Sequence, residues 1–450
     1  MNERHTTIEL PAPASASIEV LERAGFEAWC VGGFVRDSLM GRPSGDIDVA
    51  TSAPWQEAQA AFEEAGYRTH ETGVKHGTIT VIVDGETVEV TTYRIDGPYT
   101  DARHPDSVTF VRDIASDLDR RDFTMNAIAY HPRRGLFDPH GGSADIAAKV
   151  IRAVGEPKRR FSEDALRILR ACRFASQLGF AIEAATLRSM EACAPLLSSI
   201  ASERISKELQ GFVCAPHVHD ALMECADVLA HLMPELSAMK GFDQRTPYHV
   251  YDVLEHTAYV MQNTPPYPLV RWAALFHDMG KPRAFFAGED GVGHFYGHAK
   301  LSIELARPIM KRLALPSSLI DDVLLLVRYH DDVIEPAPKA VKRMLRRLDG
   351  RVDLFRAMCD LKRGDALAQA PQCHGRVALA DELDRVLDNI LEAQEAFSLK
   401  DLAVNGTDLI ALGIAPGPEI GRLLEEALEA VIDERVPNEK SSLLAFVQMR

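Results

Sequence analysis

Two aspartates separated by one residue, Asp46 and Asp48, follow a glycine-punctuated segment, Val31-Gly32-Gly33-Phe34-Val35-Arg36-Asp37, with Gly41 between. On a strand, residues two apart share a face, so both carboxylates point one way while Ile47 anchors the other side in a core. A pair of this kind suits a hard cation that also meets substrate phosphates, and magnesium against a triphosphate fits it best. Gly32 and Gly33 let backbone N–H groups come close to phosphate oxygens at the positive end of the helix they open. Arg36 adds a fixed charge one turn along. An Asp-x-Asp pair alone is common in solvated turns, so the weight lies in the order and spacing of the whole segment.

Such a layout is the chemistry of nucleotidyl transfer, in which bound metal lowers the pKa of an attacking hydroxyl and steadies leaving pyrophosphate. A third carboxylate from a neighbouring strand completes sites of this type, and Glu89 in Val88-Glu89-Val90 is the candidate, although an outward-facing strand glutamate reads the same way. Downstream, Arg120-Arg121-Asp122-Phe123-Thr124-Met125-Asn126 crowds guanidinium, carboxylate and amide groups together. Arginine forks match phosphate oxygens, and Asp122 or Asn126 suits ribose hydroxyls. In Glu163 to Arg173, helical spacing places Asp164, Arg167 and Arg170 on one side and leaves Leu166 and Leu169 for the core. An Asp acceptor beside an Arg donor can meet the Watson–Crick edge of a base. The same residues equally make a surface ladder of ion pairs.

Certain elements must position these groups. From Ile18 to Ile151 helix and strand alternate: a helix over 18–25, a strand over Ala28 to Val31, a short helix over Phe34 to Met40, a strand over Asp46 to Ala50 and a helix over Pro54 to Ala65. Thr78 to Val83 and Thr87 to Thr92 flank Asp84-Gly85, a hairpin signal. Residues 11–17 read as a Pro/Ala/Ser-rich tract. After Glu163, long segments of 3.6-residue period run to the end. The fold class expected is an α/β head, a small mixed sheet backed by helices, followed by a long and mostly α-helical body. Its parts are a head over 18–152, a helical neck over 153–240, a third domain over 241–370 and a helical tail over 371–450.

The 450 residues are 46% hydrophobic and 26% charged, the make-up of an ordinary globular protein. With 50 Lys+Arg against 66 Asp+Glu the formal charge is -16, which argues against indiscriminate nucleic-acid binding and confines any RNA contact to local basic strips. Two strips stand out: Lys158-Arg159-Arg160 running into Arg167, Arg170 and Arg173, and Lys339, Lys342, Arg343, Arg346 and Arg347, the latter also readable as a solvated helix face. Seven scattered cysteines without a C-x-x-C pair point to reduced thiols in the cytoplasm. No apolar run approaches a membrane span, and no signal-peptide core is visible, so no membrane partner is expected.

Taken together, Gly32 to Asp48, Gly73 to Thr78, Arg120 to Ala127, Asp138 to Arg152, Glu163 to Arg173 and Ser202-Glu203-Arg204-Ile205 with Glu208 resemble, in order, the motifs of class II tRNA nucleotidyltransferases, the CCA-adding family within the superfamily that includes polymerase beta. The resemblance implies Mg2+ at Asp46 and Asp48, Gly33 and Arg36 near the triphosphate, and Arg121 on phosphate or sugar. It implies Asp164 and Arg167 as a protein template for cytosine and adenine, with Arg170 and Arg173 facing phosphates. CTP and ATP would be added to the 3'-end of tRNA. A polar loop, Arg94 to Pro105, stands where the family has a flexible loop associated with switching from C to A. Bacterial poly(A) polymerases share the head motifs and are the nearest alternative, although their relatives are basic toward the C-terminus.

In the second half, His256, His277-Asp278 and the distant Asp365 resemble the ligand set of the HD phosphohydrolase superfamily, with His298 and His330 available to a second metal. Imidazole with carboxylate and an open water position is hydrolytic chemistry, often phosphate ester cleavage, with room for a second divalent transition metal, and the same fold is also readable as a body that only supports tRNA. A metal phosphohydrolase with a nucleotide-binding head is thus a further alternative. The tail, Phe397 to Gly421, resembles the helical C-terminal region of bacterial CCA-adding relatives. Its Gly-rich turn suits RNA phosphates, and a plain helical cap fits the residues equally well.

Overall fold

A computed structural model describes residues 8–43, 45–97 and 108–450. The chain divides into two compact units, residues 1–232 and 233–450.

The first unit is built on a seven-stranded sheet. Its strands are β1 (Ala28–Val31), β2 (Ile47–Thr51), β3 (Arg68–Gly73), β4 (Thr78–Val83), β5 (Glu86–Thr92), β8 (Ala129–His131) and β9 (Gly135–Phe137), in the order β3-β4-β5-β2-β1-β8-β9. Arg94–Asp96 and Val108–Phe110, β6 and β7, form a separate hairpin whose connecting residues 98–107, most of the anticipated switching loop, lie outside the described residues. All pairings in the large sheet are antiparallel except β2 with β5. Alternation along β4 and β5 buries Ile79, Val81, Val83, Val88 and Val90 on one face, against which α1 (Ala12–Arg23) and α3 (Trp55–Glu64) pack. The other face carries Asp48, Glu89 and Thr80 side by side. The Asp84-Gly85 turn has both residues at positive φ, 53° and 87°, as a tight two-residue hairpin of the primed type requires.

The sequence reading needs two corrections here. The first helix starts earlier than the expected 18–25: α1 begins at Ala12, within the Pro/Ala/Ser-rich tract, because Pro13 is tolerated in a first turn and Ser17 Oγ donates back to Pro13 O at 2.7 Å. Nor does one helix run from Glu163 to Arg173. Helix Pro157–Glu163 ends, Asp164 adopts an extended conformation (φ -140°, ψ 104°), and a new helix, Leu166–Leu178, starts with its first N–H donated to Asp164 Oδ1 at 3.0 Å. Asp164 thus caps a helix and is not carried on its side.

The second unit is helical, with a two-stranded hairpin, Phe286–Ala287 and Gly293–His294. The strip on helix Pro338–Arg347 is largely a solvated face, with Lys339, Arg343, Arg346 and Arg347 between 38% and 56% exposed, and its cations are paired. Lys339 and Arg343 pair with Asp433 at 2.9 Å each, Arg347 pairs with Asp332 at 2.9 Å, Arg346 with Glu425, and the buried Lys342 with Glu395. These pairs tie the helix to segments on both sides of it in the chain. Among the described residues no helix is long and apolar enough to cross a membrane.

The turn from β9 into helix Gly142–Ala148 is clamped by Asp138, which accepts from Gly142 N at 2.7 Å and Ser143 N at 2.8 Å. A Cβ on Gly142 would lie 2.0 Å from the Thr124 carbonyl oxygen, beside the Arg120 to Asn126 segment. Gly142→Ala should therefore cost about 1–3 kcal/mol, since backbone must move to admit the methyl group, and urea unfolding of the full chain measures it.

Candidate active site

The sequence places Asp46 just before β2 and Asp48 within it, and the parallel register sets Asp48 opposite Glu89 on β5. Burial pushes the Asp48 carboxyl up to about 6 against the pull of Arg121, and Glu89 and Asp46 add like-charge repulsion. Three carboxylates in the wall of one cavity, one of them pushed toward protonation by burial, offer the oxygen donors that a hard divalent cation takes.

Gly32 lies beside them. It sits at φ 72°, ψ -135°, immediately before helix Gly33–Leu39, where a Cβ would be 2.9 Å from an Arg121 guanidinium nitrogen and 3.5 Å from Asp48 Oδ2. Only glycine fits both the backbone angle and the gap. Arg36 is nearly buried. It holds Asp37 through two 2.9 Å hydrogen bonds, donates to Asn126 Oδ1 at 2.8 Å and lies 5.2 Å from the Phe174 ring centre.

The Arg120 to Asn126 segment is fixed from two sides. Buried Asp117 accepts from Arg120 at 2.8 and 3.0 Å and from Arg121 at 3.3 Å; burial opposes its ionisation, but these guanidiniums hold it below the usual carboxylate range. Asp122 accepts from Phe123 N at 2.8 Å, Asn126 Nδ2 at 3.0 Å and Arg170 Nε at 2.8 Å. Despite full burial, Arg170, Asn126 and Arg167 bring its carboxyl down to about 2. Arg167 donates to Glu163 Oε2 at 3.2 Å and to the Arg120 carbonyl at 3.0 Å, tying the two motifs together.

Most of these groups line one cavity of about 880 Å3, with Asp37, Asp117 and Glu163 behind its wall. Asp46, Asp48 and Glu89 stand in its wall with Gly32, Gly33, Arg36, Arg121, Asp122, Asn126, Asp164, Arg167 and Arg170. Arg173 does not line it: its Nε donates to Glu208 at 2.6 Å and its guanidinium covers Phe174 at 4.3 Å. The sequence reading did not single out Arg204 and Lys207, from helix Ser202–Val213, or Phe174, all of which line the cavity. Arg204 reaches Asp164 at 3.5 Å, and one of its buried guanidinium nitrogens, like Arg121 Nε, finds no hydrogen-bond partner among the described residues. The signal for Arg204 was present in the Ser202-Glu203-Arg204-Ile205 motif, but only the fold brings that helix to the cavity.

A second cluster lies within the second unit. His256 is on helix Val253–Asn263, His277 and Asp278 follow helix Pro268–Phe276, His298 opens helix His298–Arg312, His330 follows helix Ser317–Tyr329, and Asp365 is on helix Val352–Ala368. The His277-Asp278 pair is therefore at a helix end. Each histidine has Nδ1 within hydrogen-bond reach of a backbone carbonyl: His277 of Ala274 at 2.7 Å, His330 of Val327 at 2.8 Å, His298 of Phe295 at 2.9 Å and His256 of Ala368 at 3.3 Å. That arrangement leaves each Nε2 as the ligating atom. These nitrogens converge on Asp278, with His277 and His256 at 3.1 and 3.3 Å from Oδ2 and His298 and His330 at 3.3 and 3.7 Å from Oδ1. Asp365 approaches His256 at 3.1 Å. Three overlapping ligand groups result: His256, His277 and Asp365; Asp278, His298 and His330; and His249, His256 and Asp278. His249 was not expected; it carries none of the spacing of the other ligands. Burial opposes the charge on His256, yet its bonds to Asp278 and Asp365 push it up to about 9, the response of an imidazole among carboxylates that a cation would otherwise balance.

Residues 28–152 match the Poly A polymerase head domain, a nucleotidyltransferase module, and residues 299–447 match tRNA nucleotidyltransferase domain 2. The chain is 34% identical to the CCA-adding enzyme of Geobacillus thermodenitrificans over 439 residues, covering 96% of this chain and 95% of that one. It is 34% identical to the CCA-adding enzyme of Limosilactobacillus fermentum, covering 97% and 96%. The crystal structure of the Bacillus stearothermophilus CCA-adding enzyme in complex with CTP superposes with a TM-score of 0.72 at 31% identity, over 98% of both chains. The chain belongs to the CCA-adding enzyme family of tRNA nucleotidyltransferases, a family of enzymes that depend on divalent metal.

Two outcomes follow from this geometry. Gly32→Ala should lower the kcat/KM of nucleotide incorporation by roughly tenfold or more, from backbone strain and displacement of Arg121, as radiolabelled CTP incorporation would report. Arg170→Ala leaves a buried Asp122 carboxylate short of its partner and should cost about 2 kcal/mol in urea unfolding at neutral pH. Because the folded Asp122 value lies below the unfolded one, the gap between wild type and variant should be full above pH of about 4 and close as pH falls toward 2.

Proposed function

We propose that this chain adds CCA to the 3'-end of tRNA from CTP and ATP, without a nucleic-acid template, using Asp46, Asp48 and Glu89 to hold Mg2+. The observation that carries the reading is that the three carboxylates, the arginines and the Asp164–Arg167 pair share one cavity. When bound, the metal supplies a lowered hydroxyl pKa and charge compensation for leaving pyrophosphate. Gly32 and Gly33 admit the triphosphate close to backbone, and Arg121 and Arg36 supply positive charge beside it. The tRNA 3'-hydroxyl gives up its proton to solvent as its oxygen bonds to the α-phosphorus of the nucleotide, the bond from that phosphorus to the oxygen bridging to the β-phosphate breaks, and pyrophosphate departs with that electron pair.

Base selection rests on Asp164 and Arg167. Asp164 is held by Arg204 and by the first N–H of the helix, while Arg167 is held by Glu163 and the Arg120 carbonyl, so acceptor and donor are presented at fixed positions. Within this reading, residues 18–152 form the catalytic head, 153–240 the neck that reads the base, 241–370 an HD domain and 371–450 a tail that meets tRNA, all working in the cytoplasm. The second cluster favours a further activity. Four imidazoles anchored through Nδ1 and two carboxylates fit one or two transition-metal ions, and we assign it hydrolysis of phosphate esters.

A tRNA lacking its terminus, incubated with CTP alone, should gain two C residues; A should follow only when ATP is then supplied. Long A tracts from ATP alone would transfer the assignment to poly(A) synthesis. Asp46→Ala with Asp48→Ala should abolish incorporation and spare phosphate-ester hydrolysis, whereas Asp278→Ala should remove bound transition metal, read by elemental analysis, and abolish hydrolysis while incorporation continues.

A further inference from the structure

The large sheet sets the order of groups along one wall of the first cavity. Gly32 follows β1, and Asp48, Glu89 and Thr80 stand at matched positions on β2, β5 and β4. Crossing the sheet from β1 therefore meets the glycine cradle, then the carboxylates, then a hydroxyl. Strands lie about 4.8 Å apart, so Thr80 is roughly 10 Å beyond Asp48. The cavity still runs there, lined by Thr80 and by Thr87.

Displacement at phosphorus is in line, with the attacking oxygen entering opposite the leaving group. A triphosphate beside Gly32 and Arg121 sends pyrophosphate away on that side, so the attacking hydroxyl must arrive from the side of Glu89 and Thr80. The sheet offers hydroxyls at that place, which suit a ribose: Thr80 Oγ1 lies 2.8 Å from Thr72 Oγ1, and Thr87 is exposed beside Glu89.

The positive charge that an RNA backbone needs is on helix Ser202–Val213. Each arginine of the cavity wall faces a carboxylate at 2.7 to 3.5 Å. Lys207 is exposed in the same wall and, among the described residues, has no such partner. Its helix is nevertheless held firmly. The adjacent Glu208 is buried and accepts from Arg173 Nε at 2.6 Å, and Gly211 lets Arg173 lie against the backbone, since a Cβ there would be 2.7 Å from Arg173 Cδ. Lys207 follows Arg204 by three residues, which puts the two on neighbouring turns of one face, and Arg204 is the residue that reaches Asp164. Lys207 thus stands a turn from the base-reading pair, among neck residues and not among those that cradle the triphosphate.

We propose that Lys207 binds a backbone phosphate in the single-stranded 3'-end of the RNA acceptor, whose terminal ribose lies against Thr80 and Thr87. A phosphate contact fixes position without reading sequence, which suits an end whose last residue changes at every addition. The inference rests on the CCA-adding reading above, and the test separates the two.

Initial rates of CTP incorporation by the full chain are measured against tRNA lacking its terminus, with CTP saturating, and against CTP, with tRNA saturating, over a range of KCl concentrations. Lys207→Gln should raise the KM for tRNA by roughly fivefold and leave the KM for CTP as in wild type. It should also lower the slope of log KM for tRNA against log salt concentration by about 0.7, the share of one single-strand phosphate. Lys207→Arg should restore both, and because the side chain is exposed each variant should keep the wild-type circular dichroism spectrum. A higher KM for CTP alone, equal rises in both constants, or no change in either would overturn the assignment while leaving CCA addition standing. Failure of the wild type to incorporate C into this tRNA would bring down both readings.

Discussion

Everything at the first site depends on one unfavourable juxtaposition: carboxylates on adjacent parallel strands, Asp48 beside Glu89, with Asp46 two residues away. A protein gains nothing from such crowding in isolation, because each charge raises the cost of the next; burial is the main cause of the upward displacement of Asp48, and repulsion from Glu89 and Asp46 adds to it. The β2–β5 pairing that enforces it is the single parallel contact in an otherwise antiparallel sheet. Its buried face, Val49, Val88 and Val90, holds the register, so the core on one side fixes the carboxylate geometry on the other. Slipping the register by one residue would turn Glu89 into the core.

The surroundings answer that negative charge with structure. In a chain of formal charge -16, Arg36, Arg120, Arg121, Arg167, Arg170, Arg204 and Lys207 are gathered around one cavity. Several are neutralised in place by Asp37, Asp117, Asp122, Asp164 and Glu163, which orients their guanidiniums without giving the protein a broad basic surface. Local fields of this kind favour a polyphosphate at one spot and leave the acidic exterior to discourage non-specific RNA. The contrast with helix Pro338–Arg347 lies in exposure: Lys339, Arg343 and Arg347 are paired with Asp433 and Asp332 while about half exposed, whereas Arg36, Arg121 and Arg167 are mostly covered.

How much of this was legible in the sequence follows from what each signal depends on. The strands around Asp48, the hairpin at Asp84-Gly85 and the convergence of the head motifs depend on short-range alternation and turn chemistry, and those the residues carry themselves. The break at Asp164 was not legible, since Glu163 to Arg173 has unbroken helical periodicity and only a cap that competes for the Leu166 N–H interrupts it. Arg204, Phe174 and His249 were missed for another reason. Each joins its site through tertiary packing of a separate helix or loop, and no spacing within the chain encodes that distance.

The two clusters also differ in a way that bears on how one chain holds both. The first offers only carboxylate oxygens, with a cavity open to phosphate, which suits a hard ion shared with the substrate. The second offers imidazoles fixed through Nδ1 to backbone carbonyls, and such nitrogen donors select a softer ion and retain it without help from substrate. The two sets of donors lie in separate compact units, so the ligand chemistry of each is set by its own packing.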